Sequence, residues 1–129
     1  MEADMKIERE LMRGAGPTAV LRLLSNKTMY GYELVESLSR QTDGVLAMGQ
    51  STLYPMLYNL EAKGYIQAEW QRADSGRDRK YYSLTGKGKK RLETDTEAWR
   101  ALAKAMAALG VLEPALVRAR GMSGGGVPA

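Results

Sequence analysis

Gly49-Gln50-Ser51-Thr52-Leu53-Tyr54-Pro55-Met56-Leu57-Tyr58-Asn59-Leu60-Glu61-Ala62-Lys63-Gly64 leads into Tyr65-Ile66, and, further on, Gly76-Arg77-Asp78-Arg79-Lys80-Tyr81-Tyr82-Ser83-Leu84 follows. Leu53, Met56, Leu57 and Leu60 recur at helical spacing and define one apolar face. Ser51 or Thr52 offers a hydroxyl to cap the start. Pro55 falls in or just after the first turn, where little backbone bonding is lost. Lys63 suits the negative end of the helix dipole, and Gly64 supplies a left-handed stop. The opposite face carries Ser51, Tyr54, Pro55, Tyr58, Asn59 and Ala62, with no carboxylate until Glu61 at its flank. A helix exposed to water usually presents Glu and Lys there. A helix made to lie against a polyanion presents small and hydrogen-bonding groups instead.

The residues after Gly64 change period. Ile66, Ala68 and Trp70 point one way, with Gln67, Glu69 and Gln71 opposite. Ala73-Asp74-Ser75-Gly76 is turn chemistry, and Lys80 to Leu84 resumes a strand rich in Tyr. Tyr81 and Tyr82 alternate across that strand, so one of them belongs to the core. Arg72, Arg77, Arg79 and Lys80 make the tip and rising arm basic. Helix, hairpin and basic tip are the parts of a winged helix-turn-helix. The expected fold class is mainly α with a small β-hairpin: a winged helix-turn-helix over residues 17–84, then a long C-terminal dimerisation helix.

The flanking segments support that frame. Residues 1–16 form a polar lead-in or arm, in which Ile7 to Met12 make a helical turn or two before Gly14 and Gly16 break it. Pro17 to Leu24 is the first core helix, with Val20, Leu21 and Leu24 apolar. Thr28 caps the next helix, which runs through Tyr30, Leu34, Val35 and Leu38 to about Gln41. Thr42-Asp43-Gly44 is a turn, and Val45 to Met48 is a short segment able to add a third strand. Thr85 opens the last helix, over residues 85–110, although Gly86 and Gly88 weaken its first turn and the pattern is clear only from Lys89. Leu92, Trp99 and Met106 are spaced seven apart, and Leu102 and Leu109 sit three beyond the last two. That is a short coiled-coil seam, interrupted at Asp95, so pairing should begin near Trp99. A lone helix has no other core for such a stripe, and a second copy of the chain is the natural cover. Folding back on its own domain is the alternative. Gly110 ends the helix, Leu112 to Arg120 adds another short helical piece, and residues 111–129 form a flexible tail, Gly-rich beyond Gly121.

Three motifs in this order resemble the PadR family of bacterial transcriptional regulators. Tyr30-Gly31-Tyr32-Glu33-Leu34 resembles the family's first motif. Ser51-Thr52-Leu53-Tyr54-Pro55, continuing to Leu60-Glu61-Ala62-Lys63-Gly64, resembles its recognition helix. Gly76-Arg77, Arg79-Lys80-Tyr81-Tyr82, Leu84-Thr85 and Gly88 resemble its wing and the entry to its last helix. The match runs from about Leu11 to about Leu109. Asp78 stands where the family often has Pro, and Gly14-Ala15-Gly16-Pro17 stands where many members continue a helix. The single C-terminal helix resembles the short-tailed branch. The resemblance implies a homodimeric DNA-binding regulator, most often a repressor, whose N-terminal segment packs across the partner.

Site expectations follow from both sources. Gln50, Ser51, Tyr58 and Asn59 carry amides and hydroxyls able to read base edges in the major groove. Thr52 and Tyr54 grip phosphate, and the resemblance supports Tyr54 in that role; Pro55 and Lys63 complete the helix surface. Arg77, Arg79 and Lys80 reach phosphates or the adjacent minor groove. Tyr30 has two readings, packing in the core or, on the resemblance, lying beside the DNA backbone. Leu92, Trp99, Leu102, Met106 and Leu109 form the dimer seam. Trp99 also has a second reading, because some PadR-like regulators hold a flat aromatic effector against a Trp on this helix.

Composition sets the exclusions. In 129 residues there are no Cys and no His, so disulfides, Cys or His metal sites and Ser-His or Cys-His catalysis are ruled out. No cofactor is implied, and no carboxylate cluster suggests an enzyme. The net charge is +4, with basic residues gathered in the wing and in Lys87, Lys89, Lys90 and Arg91, and acidic ones at Glu2, Asp4, Glu8 and Glu10. That asymmetry suits an anionic partner, double-stranded DNA, on one side. No apolar run approaches a membrane span and no secretory signal is visible, so a cytoplasmic protein is expected. The rival reading is a winged helix that binds a protein and never touches DNA.

Overall fold

A computed structural model describes residues 7–72 and 74–114. Among them the chain forms α1 (Arg9–Asn26), β1 (Met29–Tyr30), α2 (Gly31–Gln41), α3 (Gln50–Ala62), β2 (Ile66–Arg72), β3 (Asp78–Leu84) and α4 (Gly86–Ala108). The strands make one antiparallel sheet in the order β1-β3-β2. This is a winged helix.

Helix α1 runs unbroken through Gly14, Gly16 and Pro17. The expected break before Pro17 is therefore corrected. Packing outweighs local propensity here: Met12, Val20, Leu21, Leu23 and Leu24 are all buried. Gly16 serves as a close approach, since a Cβ there would stand 2.6 Å from Cε of Met56 on α3. Ile7 also packs against the core.

Tyr30 does not lie in the second helix. Met29 and Tyr30 pair with Tyr82 and Tyr81, so they supply the third strand instead of residues 45–48. Helix α2 starts one residue later, and the backbone N–H of Tyr30 donates to Oε1 of Glu33 at 3.1 Å. That back-bond satisfies a donor the helix start would otherwise leave open. Residues 42–48 form a turn in which the hydroxyl of Thr42 accepts from the N–H of Leu46 at 3.0 Å.

Helix α3 begins at Gln50 after Gly49, without a side-chain cap, so neither Ser51 nor Thr52 caps it. Pro55 consequently sits in the second turn, and the carbonyl of Ser51 lacks the donor an α-helix ordinarily supplies. Leu53, Leu57 and Leu60 are buried, as their spacing predicts. The helix closes at Gly64, φ +82°, with the N–H of Tyr65 donating to the carbonyl of Leu60 at 3.0 Å and that of Gly64 to Glu61 at 2.9 Å. This paired closure needs the left-handed backbone that glycine adopts without strain. Truncating Leu53, which is fully buried, to Ala should cost about 2–5 kcal/mol of unfolding free energy by urea titration.

Helix α4 starts at Gly86, earlier than its glycines suggest. Thr85 is the reason. Its hydroxyl donates to the carbonyls of Gly64 and Tyr65 at 2.7 and 3.0 Å and accepts from the N–H of Gly88 at 2.9 Å. One side chain thus caps α4 and ties it to the α3–β2 turn. The helix ends as expected at Gly110, with the N–H of Val111 donating to Met106 at 2.8 Å. The chain divides into two compact units, the first ending at Leu92 and the second beginning at Glu93.

Candidate nucleic-acid interface

The first surface is the outer face of α3. Gln50, Ser51, Thr52, Tyr54, Pro55, Tyr58, Asn59 and Lys63 are all exposed, and the first turn carries no acidic residue. All eight predicted helix residues therefore face solvent together, on the side opposite Leu53, Leu57 and Leu60. Tyr54 is not free to wander. Its ring end lies against the backbone of Gly31 at the start of α2, where an added Cβ would meet Tyr54 Cζ at 2.8 Å. Gly31→Ala should therefore unseat the ring while sparing the core, because the far end of a half-exposed side chain can swing away. The expected outcome is a small change in melting temperature with a clear loss of duplex affinity, read by thermal melting and fluorescence anisotropy.

The second surface is the wing. The register pairs Ile66 with Leu84, Ala68 with Tyr82, Trp70 with Lys80 and Arg72 with Asp78, which puts those residues on one face. Glu69, Tyr81, Gln71 and Arg79 lie on the other. Tyr82 is the core tyrosine, 4% exposed. Its phenol is raised above the ordinary tyrosine range by burial first, then by Tyr54 and Glu61.

The wing cations differ in their company. Arg79 and Lys80, grouped together by the sequence, point to opposite faces. Lys80 approaches Oε1 of Glu61 on α3 at 4.0 Å. Arg72 approaches Asp78 across the hairpin at 3.8 Å, so the carboxylate standing in place of the family's Pro is met by a neighbouring guanidinium. Both pairs are solvent-exposed and add little stability. Arg79 instead lies over the ring of Tyr30, 4.3 Å from its centre. Arg77 is exposed at the tip. At the root of α4, Lys87 and Arg91 flank the ring of Tyr65 at 5.4 and 5.5 Å.

Trp70 is a residue the sequence reading missed. It alternates with Ile66 and Ala68 yet is 67% exposed. The strand rises past the last layer of the core, so its inward face ends on solvent beside Lys80. Strand length against core depth was the available signal.

In the second unit Trp99 and Leu102 are 40% and 45% exposed, Leu109 is exposed and Met106 half-buried. Leu92 differs from its expected partners, since it packs against the core of its own winged unit. Leu11 and Val111 are further exposed apolar residues that the seam did not include. No helix among the described residues is long and apolar enough to cross a membrane.

An exposed helix face with no carboxylate in its first turn, beside a basic two-stranded wing, is the arrangement of a winged helix. Residues 20–94 match the model of the transcriptional regulator PadR-like family, and the chain belongs to that family. A transcriptional regulator of Mycobacterium tuberculosis is 35% identical over 96 residues, covering 74% of this chain and 86% of that one. An uncharacterised protein of Lysinibacillus sphaericus is 32% identical over 93 residues, 72% of this chain and 85% of that one. The structure of a transcriptional regulator from Clostridium thermocellum superimposes with a TM-score of 0.71 at 29% identity, over 77% of this chain and 96% of that one. A PadR family regulator from Eggerthella lenta gives 0.68 at 35% identity, over 78% and 85%. The protein is a PadR family transcriptional regulator.

Proposed function

We propose that the protein is a homodimeric, cytoplasmic, sequence-specific DNA-binding repressor that reads an inverted repeat and occludes a promoter. The observation that carries this reading is the outer face of α3, where eight exposed residues present hydroxyl, amide, phenol and ammonium groups and no carboxylate in the first turn. Gln50, Ser51, Tyr58 and Asn59 read base edges. Thr52 and Tyr54 hold phosphate, and Arg77 and Arg79 extend the grip to the flanking backbone. Two such heads read half-sites roughly 34 Å apart, or a multiple of that spacing. The seam of Trp99, Leu102, Met106 and Leu109 joins the copies. A flat aromatic effector seated at Trp99 relieves repression by favouring one spacing of the heads over another.

The test is recovery of bound fragments from source DNA by the purified protein at two salt concentrations. With Arg77 and Arg79 neutralising about two phosphates per head, about four per dimer, log K should fall with log salt at a slope of about −4. Enrichment of a short inverted repeat, lost in Arg77→Ala/Arg79→Ala, supports the reading. The exposed aromatics Trp70 and Tyr58 favour one rival, a protein-binding winged helix. Retention of a protein partner at high salt, with no fragment enriched at either salt, would establish that rival instead.

A further inference from the structure

The three paired or stacked wing cations are held in two different ways, and the difference bears on which of them is ready for an anion. Lys80 and Arg72 have carboxylate neighbours, Glu61 and Asp78. Arg79 has none among the described ion pairs, and Glu69, on the same face across from Tyr81, does not pair with it. Its guanidinium lies over the Tyr30 ring, 4.3 Å from the centre. The ring is itself fixed. Tyr30 sits in the β1–β3 ladder opposite Tyr81, its N–H is bonded to Glu33 at 3.1 Å, and its ring packs edge-to-face with that of Tyr81, 5.4 Å between centres and 71° between planes.

From this geometry we propose that Tyr30 is a positioning residue that holds Arg79 as a preset phosphate clamp; the proposal rests on the DNA-binding reading above. A carboxylate partner would restrain the arginine but neutralise it and occupy its donors. An aromatic face restrains it through the flat of the guanidinium and leaves the N–H donors at its edge, with the full charge, free for a phosphate. Ordering the long side chain before the duplex arrives removes a cost that binding would otherwise carry. Tyr30 then acts on DNA through Arg79, so its hydroxyl is dispensable and its ring is not.

The test uses the full chain with an enriched duplex, read by anisotropy across salt, together with proton NMR of the free protein. Tyr30→Phe should bind like the wild type. Tyr30→Leu should weaken binding about three- to tenfold, and Arg79→Gln should weaken it further and lower the salt slope by about one per head. Adding Tyr30→Leu to Arg79→Gln should cost little more. In the free protein the Arg79 δ-methylene protons should be shifted upfield by the ring, in the wild type and in Tyr30→Phe but not in Tyr30→Leu. Equal damage from Tyr30→Phe and Tyr30→Leu would mean that the hydroxyl itself touches DNA, and would overturn the proposal. So would additive effects of the two sites, or an unshifted Arg79 signal in the wild type, a result that does not depend on any variant folding. A wild type that binds no duplex, with the upfield signal present, overturns the clamp together with the DNA-binding reading. A wild type that binds with the signal absent overturns the clamp alone.

Discussion

Replacing Trp99 and Leu102 together with Glu is expected to convert the proposed dimer to monomers and to weaken binding to its proposed operator by roughly 10²–10⁴-fold. Both side chains stand substantially exposed on the second unit, and an apolar stripe of this kind gains its stability from a partner helix. Two carboxylates from each chain would meet across a two-fold seam, where like charges repel and desolvation opposes pairing. The loss of affinity then follows from effective concentration. The second head of a dimer binds as an intramolecular event, whereas a monomer must capture each half-site independently. Sedimentation equilibrium reads the mass and anisotropy reads the affinity. The winged core, built from Leu21, Leu34, Leu53, Leu57 and Ile66, does not include either position, so far-UV circular dichroism should still show a folded winged unit. A variant that stays dimeric would move the interface elsewhere, with Leu11 and Val111 the next surfaces to change. A monomer with unchanged affinity would end the two-headed reading.

The parts of the fold that were legible in the sequence were those set by local period. Leu53, Leu57 and Leu60 announced α3, Gly64 announced its end, and Tyr81-Tyr82 announced one core position, which fell to Tyr82. What was not legible depended on contacts distant in sequence. Gly14 and Gly16 read as breakers, but Gly16 is where α1 admits Met56. Tyr30 read as helical because nothing local reveals that β3 will pair with it. The site divides along the same line. That Ser51, Tyr54, Pro55, Tyr58 and Asn59 share the exposed face of α3 could be read from spacing. The wing could be read only as a basic cluster. Its register separates Arg79 from Lys80, and its neighbours Tyr30 and Glu61 give them different states.

The glycines at the head of α4 make the same point as an expected result. Gly88→Ala should destabilise the protein by about 1–3 kcal/mol, while Gly86→Ala should stabilise it by about 0.4–1 kcal/mol. On helix propensity alone the two changes are alike, and each favours Ala. Their surroundings differ. A Cβ on Gly86 meets nothing within 4 Å. A Cβ on Gly88 is driven into the carbonyl oxygen of Tyr65 and comes within 2.9 Å of that carbonyl's carbon and 2.8 Å of Cδ1 of Leu84. The obstacle is backbone, which cannot rotate aside. The same carbonyl accepts from the N–H of Thr85 at 3.1 Å and from its hydroxyl at 3.0 Å. Relief therefore requires the first turn of α4 to lift and the Thr85 latch to open, and overpacking outweighs the propensity gain. Urea titrations of the two variants beside the wild type read the opposite signs directly. Stabilisation by Gly88→Ala would mean that α4 starts later than Gly86 in solution, as its glycines first suggest. Opposite shifts of midpoint at constant slope, the larger one downward for Gly88→Ala, would place the close approach of α4 to Tyr65 among the determinants of the winged core.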